Sequence, residues 1–187
     1  MRLTIDPVRA RTVFASLKDH PAFSESARLV EQGKLPVEML QAMALRPEIL
    51  MVLADMGRGV YPGGLLERPL KEKVILKASL LNSCQFCANS HRAIMRMVGI
   101  PQTQIEQLEA AQHLTRREGL ALQYTAAVMS DSNRVSDALF AQLVSYFTSE
   151  EIVELTFLIG YINMLNLFNN ALQVTYHEDY ADLEVYR

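Results

Sequence analysis

"EKVILKASLLNSCQFCANSHRAIMRMVGI", Glu72 to Ile100, decides how the chain is read. It holds the only two cysteines, Cys84 and Cys87, one of four histidines, His91, and a carboxylate, Glu72, well upstream of them. Apolar residues recur in it at three and four spacings with almost no period-two alternation, which predicts helix. At about 100° per residue, Cys84, Cys87 and His91 fall within an arc of roughly 60° on one helical face. In one straight helix, Glu72 would lie roughly 18 Å from Cys84 along the axis. Asn82 to Cys84 supplies capping residues for a fresh helix start. The stretch is therefore expected to be an antiparallel hairpin, with helices over Pro69–Leu81 and Cys84–Val98. Such a hairpin brings Glu72 opposite His91 and not opposite the sulfurs. It orders the groups from inside outward as Glu72, His91, Cys87, Cys84, with Cys84 the more exposed sulfur.

That order assigns chemistry. A free cysteine, with a pKa of about 8.5, is mostly protonated at neutral pH unless its site lowers the value. Cys87 and His91 are four apart and within side-chain reach, the relation a base needs to take a thiol proton. Glu72 is expected to orient and charge His91, and His91 to activate Cys87 for attack on the terminal oxygen of a hydroperoxide. Cys84 then condenses with the sulfenic acid, and the resulting disulfide is opened at Cys84 by an external dithiol. A helix start also favours thiolate, which makes Cys84 the alternative first nucleophile. Cys87 is adopted as the attacking sulfur, and the alternative stays open. Two blander readings compete: inert core sulfur, and zinc. A structural zinc site takes four ligands and no second Cys/His cluster exists, so no metal and no cofactor are expected.

Outward from this stretch the chain reads as nearly all helix, in one domain spanning 1–187 with its core over about 35–172. Further helices are expected at Pro7–Leu17, Ala22–Gln32 up to Gly33, Pro36–Leu45, Pro47–Arg58, Thr103–Ala111, Arg116–Met129, Asp137–Phe147 and Ser149–Thr175, with prolines and glycines at the boundaries. "YPGG", Tyr61–Gly64, is a loop, and the polar segment 176–187 is a tail or an oligomer contact. The formal net charge of -3 gives no footprint for nucleic acid or an anionic membrane. No signal-peptide pattern opens the chain, so a cytoplasmic location is the default. The apolar run Leu155–Leu172 is interrupted by asparagines and is expected to be a buried helix, not a membrane span. Tyr61, Tyr161 and Phe86 are candidates for a substrate entrance without a direction assigned. His20, His113 and His177 read as surface or helix-end residues. One internal echo stands out: Glu72, Cys84, Cys87 and His91 recur at a fixed offset as Glu151, Asn163, Asn166 and Asn170, which raises a duplication.

The spacing of Glu72, Cys84, Cys87 and His91, with the trailing "VGI", resembles the core signature of the alkylhydroperoxidase D-like (AhpD-like) branch of the carboxymuconolactone decarboxylase superfamily. A looser similarity extends over about Leu35–Leu172. The resemblance implies an AhpD-like all-α fold, a homo-oligomer, and a thiol peroxidase of antioxidant defence or a disulfide reductase. It implies a hydroperoxide substrate and a dithiol reductant, such as a lipoyl or thioredoxin-like protein. Glu72, Cys84, Cys87 and His91 match the proton-relay and redox positions. Phe86 departs from the pattern, since well-characterised peroxidase members carry a histidine there. The cysteine pair argues against lactone decarboxylation. The competing functions are a dithiol adaptor without peroxidase turnover and a non-enzymatic oligomeric or metal-binding module.

Overall fold

The computed structural model describes residues 1–109 and 113–177, and among these it contains helices and loops but no strand. In chain order the helices are α1 (Pro7–Ser16), α2 (Ser24–Glu31), α3 (Glu38–Met43), α4 (Pro47–Val60), α5 (Arg68–Leu81), α6 (Gln85–Met97), α7 (Gln102–Glu109), α8 (Arg116–Asp131), α9 (Asp137–Val144) and α10 (Ser149–Leu172). Every expected helix is present. The expected end at Ala111 and the tail beyond His177 lie outside the described residues.

Local chemistry sets these boundaries. The Asp6 carboxylate accepts from the Val8 N–H and opens α1. Thr115 and Thr148 form reciprocal capping boxes with Glu118 and Glu151, opening α8 and α10. The cap of α10 is thus Thr148, one residue before the serine that the sequence suggested. Gly33 and Gly99, at φ +79° and +87°, take the left-handed conformation that closes α2 and α6. Gln173 does the same for α10 at φ +53°, so that helix stops short of Thr175.

The centre of the molecule is α5, which packs against α6, α8 and α10. Val74, Ile75, Leu76 and Ala78 are buried, but so are Lys71, Glu72 and Ser79. A charge in that position needs partners, since its desolvation is otherwise uncompensated. Lys71 Nζ has them: it donates to the carbonyls of Val60 (3.0 Å) and Gly63, and pairs with Glu154 Oε1 at 2.5 Å. Glu154 also accepts from the N–H groups of Leu65 (2.5 Å) and Leu66 (3.1 Å). This clasp ties the loop between α4 and α5 to α10, and with it Tyr61.

The duplication that the echo raised has no counterpart in the fold. Its first copy is the α5–α6 hairpin, whereas its second runs along α10 as one unbroken helix of 24 residues. The asparagines instead face the hairpin. Asn82 Nδ2 donates to Asn163 Oδ1 (2.9 Å) and Asn166 Oδ1 (3.1 Å), and Asn170 Nδ2 donates to the Asn82 carbonyl (2.9 Å). By length and composition α10 is apolar enough to cross a membrane, but 44% of its apolar window is buried inside the protein. Asn166 and Asn169 lie on that inner face.

Candidate redox site

The turn between α5 and α6 is compressed to a minimum. Asn82 caps α5, Ser83 sits in the left-handed region at φ +53°, and the Cys84 N–H closes α5 on the Ser79 carbonyl (2.9 Å). The Cys84 carbonyl in turn accepts from Ala88 N–H (3.0 Å), so Cys84 is the N-cap of α6. One residue therefore ends one helix and starts the next. The sequence placed Cys84 inside the helix, on the arc with Cys87 and His91; it stands one residue before it.

The antiparallel hairpin does bring Glu72 opposite His91. Glu72 Oε2 lies 2.6 Å from His91 Nδ1, and its side chain is fully buried. Its other oxygen, Oε1, accepts from Arg68 Nε (2.5 Å) and from the Tyr61 hydroxyl (2.8 Å). Arg68 Nη2 also donates to the Tyr61 oxygen (2.9 Å), and its guanidinium lies 4.5 Å from the centre of the Tyr61 ring. Burial pushes the Glu72 carboxyl up, but His91 and Arg68 outweigh it, and the net direction is below the usual carboxylate range. An ionised carboxylate only accepts, so Nδ1 of His91 carries the proton and Nε2 is the nitrogen left for exchange.

The two thiols are free and buried. The Cys87 S–H donates to Cys84; that bond, against the opposing effect of burial, lowers Cys84 to about 7, helped by the Cys87 and Phe86 backbone N–H groups and by Asn166. Cys87 moves the other way, raised by the same bond, by burial and by the charge of Cys84. Asn169 Nδ2 donates to Cys87 Sγ at 3.2 Å. The direction of the Cys84 shift is the one the helix-start argument expects, whereas Cys87, and not Cys84, shares a cavity with His91. A cavity of about 120 Å³ is walled by Cys87, His91, Phe86, Tyr61 and Tyr161 together with Ile75 and other aliphatic groups, and Cys84 does not line it. Burial raises Tyr161 to about 12, with the charge of Cys87 adding to it, so its hydroxyl stays protonated.

The expected gradient of exposure is overturned. Cys84 is 1% exposed and Cys87 3%, so Cys84 is not the outer sulfur, while the His91 side chain, expected near the inside, is 12% exposed. The reason is α10, which lays Asn163, Asn166 and Asn170 across the turn that holds Cys84 and covers it. Two-helix geometry has no such wall. Sequence reasoning also missed Arg68, Asn166 and Asn169, and gave Tyr61 no direction. The signal for the asparagines was present: amides at three and four spacings in an otherwise apolar helix need buried polar partners. Among the described residues no three His, Cys, Asp or Glu side chains converge as metal ligands.

Residues 47–142, from α4 into α9, match the model of the Carboxymuconolactone decarboxylase family. The chain belongs to that family. Within this family fold, an Agrobacterium tumefaciens protein of unknown function, suggested to be the antioxidant-defence protein AhpD, is similar at 26% identity and TM-score 0.67 over 73% of this chain and 95% of its own. A peroxidase-related protein with an alkylhydroperoxidase AhpD core from Ralstonia eutropha JMP134 aligns over 100% of this chain and 96% of its own, at 19% identity and TM-score 0.77. The debrominase Bmp8, solved as a cysteine-to-alanine variant with 2,3,4-tribromopyrrole, aligns over 89% of this chain and 88% of its own, at 18% identity and TM-score 0.73. The AhpD-like all-helical fold expected from Glu72–Ile100 is the fold observed.

Proposed function

We propose that the protein is a thiol-dependent hydroperoxide reductase of antioxidant defence, in which Cys87 meets the peroxide and Cys84 resolves the product. The observation that supports this reading is the shared cavity: Cys87 and His91 both line it, and the buried Glu72 carboxylate holds His91. Cys87 Sγ attacks the terminal oxygen of the hydroperoxide. A sulfur–oxygen bond forms as the oxygen–oxygen bond breaks, sulfur gives up two electrons, and the thiol proton passes through His91 Nε2 to the leaving alkoxide. Cys84, lowered to about 7 and so about half thiolate at neutral pH, then displaces hydroxide from the sulfenic acid. The hydroxide takes a proton and leaves as water, and a Cys84–Cys87 disulfide remains. An external dithiol, of the lipoyl or thioredoxin-like class, attacks Cys87 and expels Cys84, the better leaving thiolate. An open groove of about 460 Å³ is lined by Phe86, which also walls the cavity, and by Asn169, which donates to Cys87 Sγ, and is the approach assigned to that dithiol. With phenylalanine at position 86, His91 is the sole imidazole in the proton path.

Mass spectrometry of alkylated protein before and after one equivalent of hydroperoxide tests this. The parent loses both thiols, Cys84→Ser stops at a sulfenic acid, and Cys87→Ser consumes nothing. Glu72→Gln slows consumption by about 100-fold, the scale of a lost acid–base contribution. Consumption by Cys87→Ser at the parent rate refutes the assignment. A reversible disulfide with no turnover for any dithiol donor identifies an adaptor instead.

A second reading keeps the dithiol and changes the oxidant. The fold is shared with a debrominase that binds a brominated pyrrole, and the cavity beside Cys87 is walled mostly by aliphatic and aromatic side chains. Here the dithiol supplies two electrons and a proton to replace a carbon–bromine bond by carbon–hydrogen, releasing bromide and leaving the disulfide. Bromide release from 2,3,4-tribromopyrrole, faster than hydroperoxide consumption, selects this reading.

A further inference from the structure

The outer face of α10 is used by nothing described so far. From Val153 to Ala171 no solvent-facing position carries a charge. Val153 is 70% exposed, Phe157 52%, Met164 44% and Leu167 59%. With Gly160 and Ala171 they form a stripe spaced four, three, four, three, four, the seam of a two-stranded coiled coil. The spacing is also its own mirror image. Val153 with Ala171, Phe157 with Leu167, and Gly160 with Met164 are each symmetric about position 162. A second copy of the helix, laid antiparallel across a two-fold axis at that level, sets Met164 against the partner's Gly160 and Phe157 against the partner's Leu167.

Gly160 supplies an independent argument. A Cβ there would meet nothing within 4 Å, so no contact within the chain requires glycine at a position where glycine weakens a helix. Across a two-fold seam, its missing side chain is the hole for a methionine. Beside the stripe, Leu65, 64% exposed, joins Val153 and Phe157 in a cleft between α4 and α10 that Met56 and Gly59 help to line and that Asp55 and Glu150 border. A stable interface buries ~800 Å² on each partner, so the stripe and this cleft would be covered together.

We propose that α10 pairs antiparallel with α10 of a second copy of this chain, about a two-fold axis at residue 162. The inner face of the same helix places Asn166 and Asn169 on the sulfurs, so pairing of the subunits stiffens a wall of the redox site. The proposal does not depend on what the sulfurs reduce. Sedimentation velocity over a range of concentrations tests it. The parent sediments as a dimer, or as an even multiple, and Phe157→Lys weakens the association by at least about 100-fold through charges buried at the apolar seam. Circular dichroism confirms that this surface variant keeps its helices. Adding Leu167→Glu restores the dimer, because the lysine introduced in one copy then faces the carboxylate introduced in the other; in a parallel pair each charge would face its like. A monomeric parent at 100 μM, on the order of the concentrations at which weak contacts still report, overturns the proposal. So does a Phe157→Lys protein that stays dimeric, a double variant that stays apart, or a parent that partitions onto phosphatidylcholine vesicles through this face.

Discussion

Cys84 and Cys87 differ in acidity because they share a proton, and the sharing leaves a mark on stability. Cys84 stands near 7 in the folded protein and Cys87 well above its ordinary value, while both return to an ordinary value near 9 on unfolding. Between pH 7 and 9 the folded pair holds about one proton and the unfolded pair about two, so stability rises with pH. Above 9 the unfolded pair has lost both while Cys87 keeps its own, so stability falls. Urea denaturation under reductant at a series of pH values is therefore expected to show the parent gaining about 2 kcal/mol on the Cys84→Ser/Cys87→Ser variant between pH 6 and 9, and losing it beyond. Parallel profiles for the two proteins would remove the shared proton from the account. Glu72 contributes with the sign of a depressed carboxylate: its stabilisation is present above about pH 4.5 and is lost as pH falls below it.

At the scale of elements, the site is a hairpin plus a loop plus one face of a distant helix, and only the first was legible. Helix, turn and the pairing of Glu72 with His91 follow from spacing within thirty residues or so, where rise per residue and capping leave few alternatives. Tyr61 is held near Glu72 by a loop after α4 that Lys71 and Glu154 clasp, and nothing near "LKEKV" reveals that the first of its two lysines, Lys71, is buried against α10. Gly64 is where that clasp is tightest. A Cβ there would collide with Glu154 Oε1 and lie 2.7 Å from Lys71 Nζ, at a φ of +104°. Gly64→Ala is expected to destabilise the fold by at least about 2 kcal/mol and to lower activity through Tyr61. Gly57→Ala, in α4 with open space around its Cβ, is expected to stabilise by about 0.5–1 kcal/mol. Thermal melts of the two variants, shifted in opposite directions, check both; equal shifts would mean the clasp does not hold the loop.

Across the whole molecule, α10 joins two tasks that the sequence hid inside one apolar run. Its asparagines close the turn around Cys84 and touch Cys87, while its outer stripe waits on a second copy, so cover for the sulfurs and assembly are carried by one rigid rod. If dimerisation contributes to the fold, the folded state gains by mass action as protein concentration rises. For a chain of this length, a tenfold increase is expected to raise the melting temperature by about 2 °C. Phe157→Lys is expected to melt at one temperature at every concentration, and to lose thiol protection as α10 loosens over Asn82. Differential scanning calorimetry across two decades of concentration, paired with the rate at which a small alkylating reagent reaches Cys84 and Cys87, measures both effects on the same samples. A concentration-dependent melt without any change in thiol protection would separate assembly from the redox site, since it would show the wall of α10 to be rigid without its partner.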